Sequence, residues 1–157
     1  MAQGVDALTR EELVELLEIT AKDLIALDGT WFQSLEREQG MDTAMEHDRA
    51  AWRRFVPSEA RRLKKLLGLS DRCGLEGLAE ALPLRCTSLA NEWEILWEDD
   101  ALVFRITDCR VQNARARKGM EFHPCKSVGE LEYAGFAAAL DDRIHLSLIH
   151  ISEPTRL

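Results

Sequence analysis

Two stretches of the C-terminal half, FRITDCRVQ and EFHPCKSVG, each contain a cysteine, and the second also contains a histidine. Cys109 ends a predicted strand, and Cys125 immediately precedes a predicted helix. The dipole and free N–H groups of a helix N-terminus stabilise a thiolate, the nucleophilic and metal-binding form of cysteine. Cys125 is therefore a candidate nucleophile, and Cys109, Cys125 and His123 are candidate Zn²⁺ ligands. Alternatively, both thiols are small buried side chains.

A second candidate group combines carboxylates with indoles. Asp28 and Trp31 lie three residues apart in one predicted helix, and Asp48 and Trp52 lie four apart in the next. Each pair shares a helical face, so antiparallel packing would bring the two carboxylates together. A buried carboxylate has a raised pKa and can serve as an acid or a base, which makes Asp28 a candidate catalytic residue. Alternatively, the indoles belong to the core and the carboxylates to its rim.

A third group is basic and amide-bearing, and follows the first cysteine. Arg110, Gln112, Arg115 and Lys118 could bind a small molecule that carries a carboxylate, because guanidinium pairs with carboxylate through two hydrogen bonds. They could equally form a solvated loop. The motifs GxSxG, HExxH and GxGxxG and the P-loop do not occur in the sequence.

Two long helices must position the carboxylates. Thr9 and Glu12 form a capping-box pattern, and leucines recur three, four and seven residues apart, which predicts one helix to about Glu38. A second helix is predicted from a cap at Asp42 to Gly68, with a kink or a break at Pro57. The segment GLEGLAEAL predicts a short third helix that stops before Pro83.

The hydrophobic period then changes from helical to alternating. NEWEILWEDDALVFRITDCRV predicts an antiparallel hairpin that turns at EDD, with Arg85 to Ala90 leading into its first strand. NARARKG is predicted to be a basic connection, and Ser127 to cap a further helix with Glu130. The predicted fold class is α+β, with an N-terminal helical layer on a small antiparallel sheet, one further helix, and C-terminal strands that are missing.

The composition and net charge of the chain exclude some classes of function. The 157 residues are 46% hydrophobic and 31% charged, which is typical of one globular domain. A net charge of −8 argues against general nucleic-acid binding, because phosphate repels such a surface. No signal peptide or membrane span is visible, so we expect a cytoplasmic protein with no membrane partner and four reduced cysteines. The sequence does not predict the oligomeric state.

The last residues, LSLIHISEPTRL, have two interpretations. Their alternation is compatible with a final strand, HLSLIHI. Back-translation of Leu146 to Arg156 also matches a transposase-type sequencing adapter read in frame. On that interpretation residues 1–145 are a truncated single domain, 146–157 are a tail of non-native origin, and the native chain is cut near Ile144 or His145.

The stretch from Phe104 to Ile144, with DCRVQ, RKG and PCKSVG, resembles an uncharacterised prokaryotic family placed near the aminothiazoline-carboxylate hydrolase-like proteins. ALDGTWFQSLEREQGMDTA and AWRRF resemble it too, so the likeness covers roughly Leu8 to Ile144. The topology is also similar to the four-vinyl-reductase ligand-binding domain. The first resemblance implies a further cysteine-bearing segment and a final cysteine-containing strand that this sequence lacks. Zn²⁺ is therefore expected in the full-length parent only, and no metal on this chain.

Three functions follow as hypotheses. The first is a cytosolic module that binds a small molecule or a metal at a cysteine site. The second is a cofactor-independent hydrolase of the aminothiazoline-carboxylate type, with Cys125 or an activated water as nucleophile and Asp28 or His123 as base. The third is a helical interaction or structural protein, which an exposed apolar patch on the two long helices would favour.

Overall fold

The structure is a computed structural model that describes residues 4–148. Over this range it has six α-helices, one two-stranded antiparallel sheet, and short 3-10 helices at Gly4–Ala7 and Leu82–Leu84. The α+β class is confirmed. The elements are, in chain order, α1 (Arg10–Gln39), α2 (Met41–Leu67), α3 (Gly74–Ala81), α4 (Cys86–Ala90), β1 (Glu92–Glu98), β2 (Ala101–Asp108), α5 (Arg110–Arg117) and α6 (Lys126–Leu140).

Helices α1 and α2 form an antiparallel hairpin whose bend is a single residue, Gly40. Its φ of +85° favours glycine, and the capping box at Thr9 and Glu12 forms as predicted at the other end of α1. The predicted cap at Asp42 is wrong. Helix α2 begins at Met41, without a side-chain cap, because Gly40 ends one helix and starts the next, which leaves Asp42 in the first turn.

Helix α2 continues through Pro57, so of the kink or break predicted there the break does not occur. Proline removes the N–H that would bond the carbonyl of Arg53. Both residues are exposed, so that carbonyl can be solvated instead. Gly68, in the left-handed conformation, ends the helix as predicted.

The main core lies where α2 crosses α6. Val56 and Ala60 of α2 pack against Phe136 and Leu140 of α6, and all four are almost fully buried. A Cβ on Gly135 would lie 3.5 Å from Val56 Cγ1, so the two helices approach closely. The remaining buried members of this cluster come from α3, the 3-10 helix after it and α6: Leu78, Ala81, Leu82 and Ala137.

The β-hairpin covers one side of this core. Strand β1 pairs with β2 from Glu98↔Ala101 to Glu92↔Asp108, with an irregularity between Glu92 and Trp93. Phe104 stacks on Trp93 at 5.6 Å between ring centroids and contacts Tyr133 of α6 at 5.9 Å. One face of the hairpin is therefore held by the helices, which a two-stranded sheet needs for stability.

Two segments predicted as connections are helices. Cys86–Ala90, which was expected to lead into the first strand, forms α4, and the basic segment after Cys109 forms α5. The Ser127 cap is also wrong. Cys125 occupies the N-cap of α6, and the Ser127 hydroxyl instead lies 3.3 Å from Arg49 Nη1, which donates to it.

Residues 145–148 of the tail are not a strand, and the rest of the predicted strand HLSLIHI lies outside the described residues. Within residues 4–148, no helix combines the length and the apolar character that crossing a membrane requires.

A buried ion network ties α2 to α4 and α6. Arg85 is fully buried, and its Nη2 lies 2.9 Å from Glu59 and 2.8 Å from Glu132. Glu59 Oε1 also accepts the N–H of Cys86 at 3.0 Å. The guanidinium lies 4.5 Å from the Phe136 ring centroid, a favourable cation–π distance. Burying this charge requires such pairing, although Nη1 of Arg85 has no hydrogen-bond partner within residues 4–148.

Candidate functional site

A thiol, an imidazole and a carboxylate meet where α2 packs beside the loop before α6. His123 Nε2 lies 3.4 Å from Asp48 Oδ2, and both side chains are about nine-tenths buried. The Cys125 thiol lies close enough to the imidazole to help raise its pKa. Within residues 4–148, Nδ1 of His123 is buried and has no hydrogen-bond partner. A thiol, an imidazole and a carboxylate are also the groups with which cysteine hydrolases activate their nucleophile.

Cys125 is the N-cap of α6, as the sequence placed it. The first N–H groups of a helix have no intrahelical acceptor, and they carry the positive end of the dipole. An anionic sulfur is stabilised both by that dipole and by a neighbouring imidazolium. Both features are present at Cys125, which is half-buried.

Gln112 of α5 clamps the loop that carries the histidine and the cysteine. Its Oε1 accepts the backbone N–H of His123 at 2.9 Å, and its Nε2 donates to the His123 carbonyl at 2.8 Å. Nε2 also lies 3.6 Å from Cys125 Sγ. Because both the oxygen and the nitrogen of the Gln112 amide bond the His123 backbone, the loop is held in one conformation. The distance between the His123 ring and the Cys125 thiol is thereby fixed.

Electrostatics favour the protonated imidazole. Burial lowers the pKa of His123, but hydrogen bonds to Asp48 and Cys125 and their negative charge outweigh it and raise the pKa to about 9. The ring edge packs on Phe32 with centroids 4.6 Å apart. His123 therefore carries a proton that it can donate at neutral pH.

Asp28 of α1 belongs to the same electrostatic group. Burial and the nearby charge of Asp48 raise its pKa to about 6, with an opposing contribution from His123. The two carboxylates of the predicted pairs thus interact. The indoles do not share this environment, because Trp31 is 63% exposed and Trp52 packs in the core.

Arg115 anchors α5 to α1 beneath the site. Its guanidinium binds Glu36 through two hydrogen bonds of 2.7 and 2.8 Å, and its Nε donates to the carbonyl of Glu121 at 2.6 Å. Hydrogen bonding to Arg115 lowers the pKa of Glu36. Since Arg115 is 2% exposed, it serves the loop rather than a ligand.

The four residues predicted to bind a carboxylate are not brought to one place. Gln112 and Arg115 hold the loop around the histidine, and Lys118 donates to Gln33 Oε1 at 2.8 Å. Arg110 lines a polar cleft of about 520 Å³. The other charged residues of that cleft are Glu18, Lys22, Glu92, Asp108 and Arg117.

Cys109 is the N-cap of α5 and lies near Cys125. Burial raises the pKa of its thiol most, backbone hydrogen bonds with Gln112 and Val111 oppose this, and the charge of Cys125 adds to it. Within residues 4–148, no group of three or more histidine, cysteine or acidic side chains has the geometry to hold a metal ion. Zinc binding by Cys109, His123 and Cys125 stays a prediction.

The sequence treated the thiols and the carboxylates as separate groups, and missed that Asp48 faces His123. It also did not identify Gln112 as a structural clamp. No local spacing relates positions 48, 112 and 123, because they come from three elements. The available signals were only the expectation that antiparallel packing brings Asp28 and Asp48 together and the position of Cys125 before a helix.

A family of unknown function, DUF6125, matches residues 6–155, and the chain belongs to this family. No curated protein matches the chain, and no solved structure does.

Proposed function

We propose that the chain is a cofactor-independent, thiol-dependent hydrolase that acts on a small molecule with an electrophilic carbon–nitrogen double bond. The observation that supports this most is the Asp48–His123–Cys125 sequence of contacts, with its loop fixed by Gln112. Such a site needs no metal, and a thiazoline-type ring offers a suitable carbon. The sequence resembles a family that is placed near the aminothiazoline-carboxylate hydrolase-like proteins, and this resemblance supports the same substrate class.

The proposed steps use the residues in named roles. Cys125 Sγ forms a bond to the C=N carbon, and His123 donates its proton to the nitrogen that becomes negative. The bond from that carbon to the ring sulfur then breaks, which releases a ring thiolate and leaves an isothiouronium group on Cys125. Water adds to this sp2 carbon and His123 takes one of its protons. The carbon–sulfur bond to Cys125 then breaks, and the released thiolate takes the remaining hydroxyl proton as the carbonyl group of the opened product forms. Asp48 holds the imidazole throughout and stabilises its charged form. Asp28 serves as a second proton acceptor, since its pKa is near neutral.

The direct experiment is an assay of the chain against aminothiazoline carboxylate, with Cys125→Ser, His123→Gln and Asp48→Asn. Each variant should lose at least about 100-fold in kcat/KM, as removal of a nucleophile or base does. Cys86→Ser is the matched control, because Cys86 is a half-buried thiol at the start of α4 and its pKa is raised to about 12. Activity retained in Cys125→Ser would contradict the proposal.

A second measurement does not need the right substrate. Iodoacetamide should modify Cys125 about 10-fold faster than Cys86, and His123→Gln should remove this advantage. Peptide mass spectrometry identifies the modified thiol. If iodoacetamide modifies Cys125 at the same rate in the wild type and in His123→Gln, Cys125 is not activated by His123. Treatment with a chelator distinguishes this metal-independent mechanism from the predicted zinc site. If the chelator abolishes activity and added Zn²⁺ restores it, the zinc site is favoured.

The polar cleft supports a second candidate, the binding of a zwitterionic carboxylate. The cleft of about 520 Å³ is lined by three cations and three acids: Lys22, Arg110, Arg117, Glu18, Glu92 and Asp108. Lys22 is already paired with Glu18 of the same helix at 3.2 Å. Binding of small amino-acid-like molecules, measured by calorimetry, should weaken about 10-fold in Arg110→Gln. Arg105→Gln is the control, since Arg105 is an exposed strand residue paired with Glu94. Unchanged binding in Arg110→Gln would reject this candidate.

A further inference from the structure

Two of the four cysteine thiols lie beside the same residue, Gln112. Nε2 of Gln112 is 3.6 Å from Cys125 Sγ. The backbone N–H groups of Gln112 and Val111 are close enough to the Cys109 thiol to lower its pKa. A negative charge on Cys125 raises the pKa of Cys109, which requires the two groups to be neighbours. The fold therefore brings together two thiols from the N-termini of two different helices, α5 and α6.

The two thiols differ in reactivity. Cys125 has both the N-terminus of α6 and the imidazolium of His123 beside it, and both stabilise a thiolate. Cys109 also precedes a helix, but burial outweighs this and raises the pKa of its thiol. Both side chains are half-buried, so a small molecule can reach them. An electrophile therefore reacts first with Cys125, and Cys109 is the second thiol beside it.

The two ring nitrogens of His123 have different surroundings. Nε2 lies 3.4 Å from Asp48 Oδ2, and the side chain is 10% exposed. Nδ1 is buried, and among residues 4–148 no group forms a hydrogen bond with it. Because the protonated ring carries a hydrogen on both nitrogens, Nδ1 can donate a proton to a small molecule that reaches Cys125. A peroxide suits this arrangement, since it is small and its leaving oxygen needs a proton.

We propose that a peroxide oxidises Cys125 and that Cys109 of the same chain then joins it in a disulfide. The Cys125 thiolate attacks one oxygen of hydrogen peroxide, the O–O bond breaks, and His123 protonates the hydroxide, which leaves as water. Cys125 is then a sulfenic acid, S–OH. The Cys109 sulfur attacks the Cys125 sulfur, the S–O bond breaks, and the hydroxyl group leaves with the Cys109 proton as water. The two thiols lose two electrons in total, and the peroxide gains them.

The chain around Cys125 allows this bond to form. A disulfide requires Cα atoms within about 7 Å of each other. Gln112 holds the backbone of His123, and Cys125 lies beyond that point, so its side chain can turn while the clamp stays in place. The contact between Gln112 Nε2 and Cys125 Sγ is long for a hydrogen bond and is lost at little cost. Residues 120–124 form neither a helix nor a strand, so small adjustments there break no regular element.

Mass spectrometry of the whole chain tests the disulfide. The reduced protein is treated with hydrogen peroxide and then alkylated with iodoacetamide, and alkylation should fall from four thiols to two. After trypsin, peptide 106–110 should be linked to peptide 119–126, and dithiothreitol should separate them. Cys109→Ser should leave the sulfenic acid on Cys125, so that dimedone labels Cys125 about 10-fold more than in the wild type. Cys73→Ser is the matched control, because Cys73 is likewise half-buried at a helix N-cap, and it should still give the link.

Four alkylated thiols after peroxide treatment, or a disulfide through Cys73 or Cys86, would overturn the proposal. A disulfide between two chains, seen as a band of twice the mass on a non-reducing gel, would also overturn it, because the two thiols belong to one site. If dimedone labels the wild type as strongly as Cys109→Ser, Cys109 does not react with the sulfenic acid. Circular dichroism checks that Cys109→Ser keeps its helix content, and Cys109→Ala repeats the test if it does not.

This inference rests on the reactive Cys125 of the proposed function, but its measurement needs no hydrolase substrate. A disulfide in a chain that does not hydrolyse aminothiazoline carboxylate would refute only the hydrolase. Hydrolysis without a disulfide would refute only the peroxide reaction. A chain with neither would refute both, because Cys125 would then be unreactive.

Discussion

Two buried ionisable clusters share helix α2 and differ in what their charges can do. The ion network joins Arg85 to Glu59 and Glu132, and the thiol site joins Asp48 to His123 and Cys125. The network is built on a guanidinium, whose already high pKa its two carboxylates raise further. The thiol site is built on an imidazole and includes Asp28, so its charge changes between about pH 6 and 9. A fixed charge stabilises a fold, whereas a titrating group can move protons.

The side chains and backbone around the two clusters also differ, as expected for a fixed charge and for a titrating site. The Arg85 guanidinium lies between the Phe136 and Tyr133 rings at 4.5 and 5.0 Å, and Thr87 Oγ1 lies 3.4 Å from Glu132. Burial raises the pKa of Glu132, while Arg85 opposes that rise. The thiol site instead sits on a loop, held from outside by Gln112. Its rigidity comes from backbone hydrogen bonds, which leave the ring and the thiol available for chemistry.

The largest effect is expected from breaking the ion network. Arg85→Met leaves two carboxylates buried without their cation, and should lower the free energy of unfolding by about 3–5 kcal/mol. Urea denaturation followed by circular dichroism measures it. A double variant that adds Glu132→Gln should recover part of the loss. If Arg85→Met unfolds at the wild-type urea concentration, the network is not structural.

The pH dependence of stability should come from the thiol site. The folded pKa of His123, about 9, lies above its ordinary 6.5, so the folded state binds the proton more strongly. The resulting stabilisation is complete below pH 6.5 and is lost as the pH rises through about 9. It should amount to about 3 kcal/mol. His123→Gln should flatten the curve in this window, measured by urea denaturation at each pH. Arg105→Gln is the control and should retain the slope.

A smaller effect of opposite sign is expected at Asp28. Its folded pKa of about 6 lies above 3.8, so the folded state favours the neutral acid, and stability falls as the pH rises from 3.8 through about 6. Asp28→Asn removes this cost and should stabilise the fold at pH 7 by about 1 kcal/mol. Thermal unfolding at pH 5 and pH 7 compares the two proteins. Destabilisation at both values would show that the carboxylate is needed for packing.

The smallest effect is expected on the hairpin surface. Arg105 and Glu94 pair across the strands, but their side chains are 58% and 41% exposed. Arg105→Gln should change the free energy of unfolding by less than about 0.5 kcal/mol, because solvent and salt screen such pairs. The same denaturation series measures it. If Arg105→Gln lowered the free energy of unfolding as much as Arg85→Met does, burial would not explain why the Arg85 network contributes more than a surface ion pair.

Local patterns predicted much of the fold. The Thr9–Glu12 capping box, the left-handed Gly68 and the turn at Asp99 and Asp100 each depend on a few neighbouring residues, and each formed as expected. Helix α5 was missed, because its segment is polar and short and its helical state depends on anchors at Glu36 and His123. The cap of α6 was misassigned because Ser127 is held by Arg49 of α2, a contact that local sequence does not encode.

The sequence by itself determined helices α1, α2, α3 and α6, the hairpin and the placement of Cys125 before a helix, since these follow from periodicity and from turn and capping residues close in the chain. Only the tertiary structure decided that Asp48 faces His123, that Gln112 holds their loop, and that Arg110 faces a different cleft. The reason is physical. The pKa of a side chain and its partners depend on burial and on charges from distant elements, and these exist only after the helices have packed.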